Sequence, residues 1–167
     1  TVGDLVVAFK REAEKIGATK KAEKYLETFQ KDLKKITNRI EGEEKRRVGI
    51  EMGSKPRITA SGDSFIHNIV ETAGGKNVFA DSPIAYSKIS MESVIARKPE
   101  IILVLTNMDS EAARTNAYKE FATLRSCKVV QIDDPDLTTP CLSSFLHSVE
   151  IVAEVLHPEI TNKEGGK

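Results

Sequence analysis

The chain has 167 residues, 40% of them hydrophobic, and its 25 Lys and Arg balance 25 Asp and Glu. That length supports one domain whose core buries about two-thirds of the unfolded surface, and the charge balance removes the broad positive field that a nucleic-acid partner requires. No apolar run approaches the roughly 18 residues of a membrane span, and Cys127 and Cys141 are too few for a disulfide scaffold and read as separate thiols.

Leu5, Phe9, Ala13 and Ile16 recur at helical spacing after Thr1, and Gly17 ends the run, which predicts a short helix with one buried face. From Thr19 onward Ala22, Tyr25, Leu26, Phe29, Leu33, Ile36 and Ile40 repeat at threes and fours opposite a Lys- and Glu-rich face. One long amphipathic helix is expected there, about 33 Å long at about 1.5 Å per residue. Gly42 to Arg47 is a polar break, Arg47–Met52 reads as the first strand, and Gly53 to Arg57 as the loop after it. Ser64 or Asp63 caps a helix carrying Phe65, Ile66, Ile69, Val70 and Ala73, and Gly74-Gly75 supplies its left-handed stop. A short second strand is expected near Asn77–Phe79, within a loop that runs on to Lys88. Ser90 caps a short helix with Glu92 in its first turn, and Pro99 separates that helix from Ile101–Leu105, an unbroken apolar run expected of a strand covered on both faces. Asp109 or Ser110 caps a further helix with Ala113, Ala117, Phe121 and Leu124, and Lys128–Ile132 is the last strand. The final helix spreads Leu142, Phe145, Leu146, Val149, Val152, Ala153 and Leu156 over one face and stops at His157-Pro158, ahead of a polar tail, Thr161–Lys167.

Strands alternating with helices predict an α/β fold: one three-layer lobe over residues 46–158 with a mainly parallel sheet flanked by helices, preceded by helices over 1–45 and followed by a tail over 159–167. Ligands on such sheets sit at the carboxyl ends of the strands, which places the loops Gly53–Ala60, Asp81–Ser87, Thr106–Ser110 and Asp133–Pro140 on the floor of any site. No nucleophile, phosphate-loop or zinc-protease motif is present, so no catalytic residue is expected. His67, His147 and His157 lie far apart without a paired Cys or carboxylate at ligand spacing, and read as helix-surface or helix-end residues with no metal. Asp133, Asp134 and Asp136 form an acidic cluster in which Pro135 marks a turn and cap before it marks a cation site; Asp136 is counted among the ligand-facing residues of the last loop. Tyr86, in a loop at a strand's carboxyl end, either stacks on a flat ligand or roofs its own core.

The pieces SGDSFIHNIVETAGGKNVFAD, then Ser90-Met91-Glu92, then ARKPEIILVL, in that order, resemble the C-terminal lobe of the ABC-transporter substrate-binding proteins for iron-siderophores, haem and cobalamin, and the similarity runs from about residue 1 to Pro158. The resemblance implies a binding protein that carries out no turnover. Its ligand would be a metal chelate and its partner the ABC permease, on the extracytoplasmic side of a membrane, and the long helix would connect to an N-terminal lobe that precedes this chain. It also implies roles: Tyr86 matches an aromatic that contacts ligand, Thr59 would face the cleft, and Glu92 matches a glutamate that docks into permease arginines. Arg57, two residues before Thr59, could pair bidentately with a carboxylate or phosphate of the ligand or remain a solvated arginine. An alternative is a ligand-binding or interaction domain of the same fold without a transport role. A lobe without its partner would expose apolar surface, so a homodimer is a further expectation.

Overall fold

The computed structural model describes residues 1–54, 56–105 and 117–159. In chain order the elements are α1 (Val2–Lys15), α2 (Thr19–Arg39), β1 (Arg46–Glu51), β2 (Gly53–Ser54), β3 (Arg57–Ala60), α3 (Phe65–Thr72), β4 (Gly75–Asn77), β5 (Tyr86–Lys88), α4 (Met91–Arg97), β6 (Ile101–Val104), β7 (Lys128–Gln131) and α5 (Leu142–Leu156). The expected loop Thr106–Ser110, the helix start at Asp109 or Ser110 with Ala113, and the tail Thr161–Lys167 lie outside the described residues. Among the described residues no helix is long and apolar enough to cross a membrane.

Local chemistry starts and stops these helices. Thr1 and Asp4 form a capping box on α1, and the hydroxyls of Ser64 and Ser90 accept from the backbone N–H of His67 and Ser93 at the starts of α3 and α4. α3 ends at Gly74, whose φ of +81° is the left-handed conformation that lets a helix turn off sharply. A Cβ at Gly74 would also stand 2.6 Å from Nε2 of His157, a residue only 1% exposed, so the chain reverses there against the end of α5.

Four strands form one parallel sheet in the order β4-β1-β6-β7. Side chains alternate across it. Val48, Ile50, Ile101 and Leu103 pack with α2, α3 and α5, while Ile102, Val104 and Val129 pack with Val94 of α4, Phe79 and Leu124 on the other face. Phe145 of α5 is fully buried between Phe29 and Phe65, with ring centroids 6.4 and 5.9 Å away, a burial that contributes about 3 kcal/mol. α2 is therefore part of the same core through Leu26, Phe29 and Ile36, and Arg39 at its end pairs with Glu150 of α5. The chain leaves β1 for β4 on one side and returns to β6 on the other, so the order reverses between β1 and β6, and the crevice beyond their carboxyl ends is where such sheets hold ligands.

One expectation is corrected here. Arg57–Ala60 and Tyr86–Ser87 are not loop; β2, β3 and β5 form a second, antiparallel sheet directly after β1. The Met52 N–H donates to the Ile58 carbonyl at 2.8 Å, folding the chain back on itself at the carboxyl edge of the main sheet. Strands of two to four residues are too short for alternation to show in a sequence.

Candidate functional site at the carboxyl edge of the sheet

Glu51 closes β1 at the point where the strand order reverses, in register with Val104 of β6. It is a carboxylate with 2% exposure, and such a group is stable only when paired and hydrogen-bonded. The small sheet supplies the pairing: Arg57 on β3 brings Nε to 2.9 Å from Glu51 Oε2, and the Tyr118 hydroxyl, from the helical residues 117–119, donates to the same oxygen. Arg57 Nε is also 3.3 Å from the Tyr118 oxygen, and its guanidinium lies 5.5 Å from the centre of the tyrosine ring. Burial, then the Glu51 charge, pushes the Tyr118 phenol above its usual range, so it stays a neutral donor. With Nε committed inward, the Nη1 and Nη2 edge of Arg57 has no partner among the described residues, and the side chain keeps 19% exposure. A guanidinium held on one side and open on the other can accept a ligand carboxylate or phosphate.

The register of the small sheet sorts the remaining ligand candidates. Thr59 faces Ser87 and Ala60 faces Tyr86 across the β3–β5 pair, and directly opposed residues share a face. Thr59 therefore lies with Ser87 and Arg57, and Tyr86 lies with Ile58 and Lys88 on the opposite face. Thr59, expected to face the cleft, is fully buried, and its hydroxyl has no partner among the described residues; it lines no open surface. Tyr86 is 47% exposed, which leaves its ring available to a flat ligand. The structure brings Arg57 together with Glu51 and Tyr118, and it does not bring Arg57 together with Tyr86.

Glu92 is exposed in the first turn of α4, where its hydrogen bond with Ser90 holds its carboxyl below the usual range. The same helix is tied to the segment before β5 by Arg97, which donates from Nη1 to Asp81 Oδ1 at 2.7 Å and from Nη2 to Asp81 Oδ2 at 3.1 Å, with its guanidinium 4.8 Å from the Phe79 ring centre.

Asp136 is spoken for locally, since its Oδ1 accepts from the Ser144 hydroxyl at 3.0 Å. Asp134 caps the 3-10 turn Pro135–Thr138 and lies 3.0 Å from His147 Nε2 on α5, so this histidine does have a carboxylate beside it, contrary to the expectation from sequence spacing. Both cysteines are free, Cys127 buried and Cys141 half-exposed as the cap of α5. A groove of about 870 Å³ lies between α2 and α5, away from Glu51, and is lined by Tyr25, Ile36, Arg39, Leu146 and His147 among others. On its walls Lys35 pairs with Asp32 and Arg39 with Glu150.

Sequence reasoning missed Glu51 and Tyr118. The signal for the first was available, a carboxylate directly after Val48, Gly49 and Ile50 in the strand RVGIEM; for Tyr118, 67 positions away, there was none.

Comparison with known proteins adds a lineage to this geometry. Residues 2–135 match the family described as periplasmic binding protein. The vitamin B12-binding protein of Salmonella typhi is 36% identical over 84 residues, which is 50% of this chain and 32% of that relative, so the matched stretch spans about a third of the relative's length. Among solved structures, an ABC transporter substrate-binding protein from Listeria monocytogenes superposes with a TM-score of 0.80 at 19% identity, covering 95% of this chain and 65% of that one. The periplasmic haem-binding protein HutB of Vibrio cholerae gives a TM-score of 0.78 at 20% identity over 95% of this chain and 65% of its own. At those identities the structures speak for the fold.

Proposed function

Because the chain belongs to the periplasmic binding protein family, we propose that it forms the C-terminal lobe of a substrate-binding component of an ABC importer, working by binding and presentation of a metal chelate such as a ferric siderophore, haem or cobalamin on the extracytoplasmic side of a membrane. The observation that carries the reading is the relationship in sequence to vitamin B12-binding protein over half of the chain, joined to an exposed tyrosine ring at the carboxyl edge. In this reading Tyr86 stacks on the flat part of the chelate, and Arg57, on the other face of the small sheet, offers its open edge only to an acidic substituent that reaches round that sheet, while Thr59 supports the strand from beneath. Asp136 shapes the last loop through Ser144 and meets ligand only at that loop's rim. Glu92, exposed on the first turn of α4, docks onto arginines of the permease. Residues 1–45 contribute the helix that leads to the other lobe, which supplies the second wall of the cleft.

The test uses the protein in its full natural length. Haem, a ferric siderophore and cobalamin are titrated in turn, and one of them is expected to bind, with Tyr86→Ala weakening it about threefold to tenfold, the range of one aromatic stacking contact. Glu92→Ala is expected to leave ligand affinity and melting temperature unchanged while permease binding falls. If none of the three chelates binds, or if Glu92→Ala lowers stability and leaves docking intact, the reading is wrong.

A further inference from the structure

The connection from β7 to α5 gathers three groups, of which the transport reading uses only Asp136, and that only at the loop's rim. Asp134 and Asp136 flank Pro135 in a 3-10 turn, and His147 reaches the same point from the second turn of α5. One ligand atom from each lies within 4.8 Å of the others. Carboxylates crowded at a surface carry no such implication by themselves; here an imidazole nitrogen from a separate element converges on two part-buried carboxylates, each already fixed in position. Asp134 spends Oδ1 on the Asp136 N–H at 2.9 Å, which aims Oδ2 at Nε2 of His147, 3.0 Å away. Asp136 spends Oδ1 on the Ser144 hydroxyl, and its other oxygen has no partner among the described residues. No Lys or Arg among the described residues neutralises the two carboxylates; Lys35 and Arg39, which share the neighbouring groove with His147, are held by Asp32 and Glu150.

We propose that Asp134, Asp136 and His147 form a binding site for a divalent first-row transition-metal ion of the zinc class. One imidazole nitrogen with two carboxylate oxygens suits such an ion, whereas calcium and magnesium take all-oxygen sets. Bonds of about 2.0–2.2 Å hold ligand atoms about 3.0–3.5 Å apart, so rotation of the Asp136 carboxylate and the exposed imidazole is enough to close the triad. The ion takes the place of the Asp134–His147 hydrogen bond and pins the last loop at the carboxyl edge to α5, with water completing its coordination. The site lies wholly within this chain and stands whether or not the transport reading holds.

The experiment is calorimetric titration of the tag-free, chelator-treated chain carrying Cys141→Ser, which removes the accessible thiol as a competing ligand while serine preserves the helix cap. Zinc chloride is expected to bind saturably at one ion per chain and to raise the melting temperature by about 5 °C or more at about a hundredfold excess over Kd. Calcium and magnesium chloride are expected to do neither. His147→Ala and Asp136→Asn each lower zinc affinity at least about tenfold, and cobalt substituted for zinc gives visible d–d absorption that His147→Ala loses. Zinc that fails to saturate, that binds His147→Ala as tightly as its parent, or that is matched by calcium overturns the assignment.

Discussion

Arg57→Met separates a built site from a passive surface arginine. Methionine keeps most of the apolar stem and its packing but removes the charge that lies 2.9 Å from a carboxylate with 2% exposure. Breaking a fully buried pair from one side costs about 3–5 kcal/mol, because the remaining charge stays desolvated. Arg57 retains 19% side-chain exposure, so water reaches the pair and the cost falls to about 2 kcal/mol, a drop of about 4–8 °C in melting temperature for a chain of this length. Urea unfolding followed by circular dichroism, run on the parent, Arg57→Met, Glu51→Gln and the double variant, measures both the cost and the coupling. A coupling of about 1–2 kcal/mol is expected, since the two groups share one hydrogen-bonded network with Tyr118. If Arg57→Met stays within about 0.5 kcal/mol of the parent, or if the two substitutions add without coupling, then Glu51 does not hold Arg57 and the proposed anion-facing edge has no foundation.

The Arg97 hydrogen bonds hold the Asp81 carboxyl below its usual value of about 3.9, so its contribution to stability is present above that value and is lost as pH falls through the lower, folded-state pKa. Thermal melts of Asp81→Asn and parent should differ slightly at neutral pH and converge in strong acid and in high salt; a gap that widens in acid would contradict this. Hydrogen bonds from Ser143, then Ser144, lower the Cys141 thiol, whereas burial, then Glu100, pushes Cys127 up to about 11. Iodoacetamide near neutral pH should therefore modify Cys141 first, with Cys127 reacting only in denaturant, as read by mass spectrometry of the two peptides. Gly74→Ala should cost more than about 1 kcal/mol in urea unfolding, because alanine resists the positive φ and its methyl meets His157; a neutral result would mean that the α3 stop is not constrained there.

The helices were legible because their information is local. The caps Ser64 and Ser90, the Gly74 stop and the long stripe of α2 are all written within a few residues of where they act. The buried run of β6 was legible for the same reason. The small antiparallel sheet was not, since β2 and β5 hold two and three residues and the pairing of β3 with β5 joins segments about thirty positions apart. Only the resemblance turns Thr59 toward the cleft, and it is strand pairing, invisible in so short a segment, that decides which way the side chain points. The Asp134–His147 contact spans 13 positions across a turn and a helix start, a separation at which spacing rules for ligands do not apply.

The β3–β5 pair also bears on how such a protein diversifies. Within β5 the exposed Tyr86 and Lys88 flank the buried Ser87, so parity along this short strand divides what selection can vary from what it must keep. Side chains at those two positions can be exchanged without disturbing the Glu51 network, because Arg57 lies on the other face. A lineage can thus sample new outward chemistries one substitution at a time and stay folded throughout. An insertion of a single residue in β5 would turn that pattern over, and such insertions should be absent from descendants while substitutions at 86 and 88 accumulate.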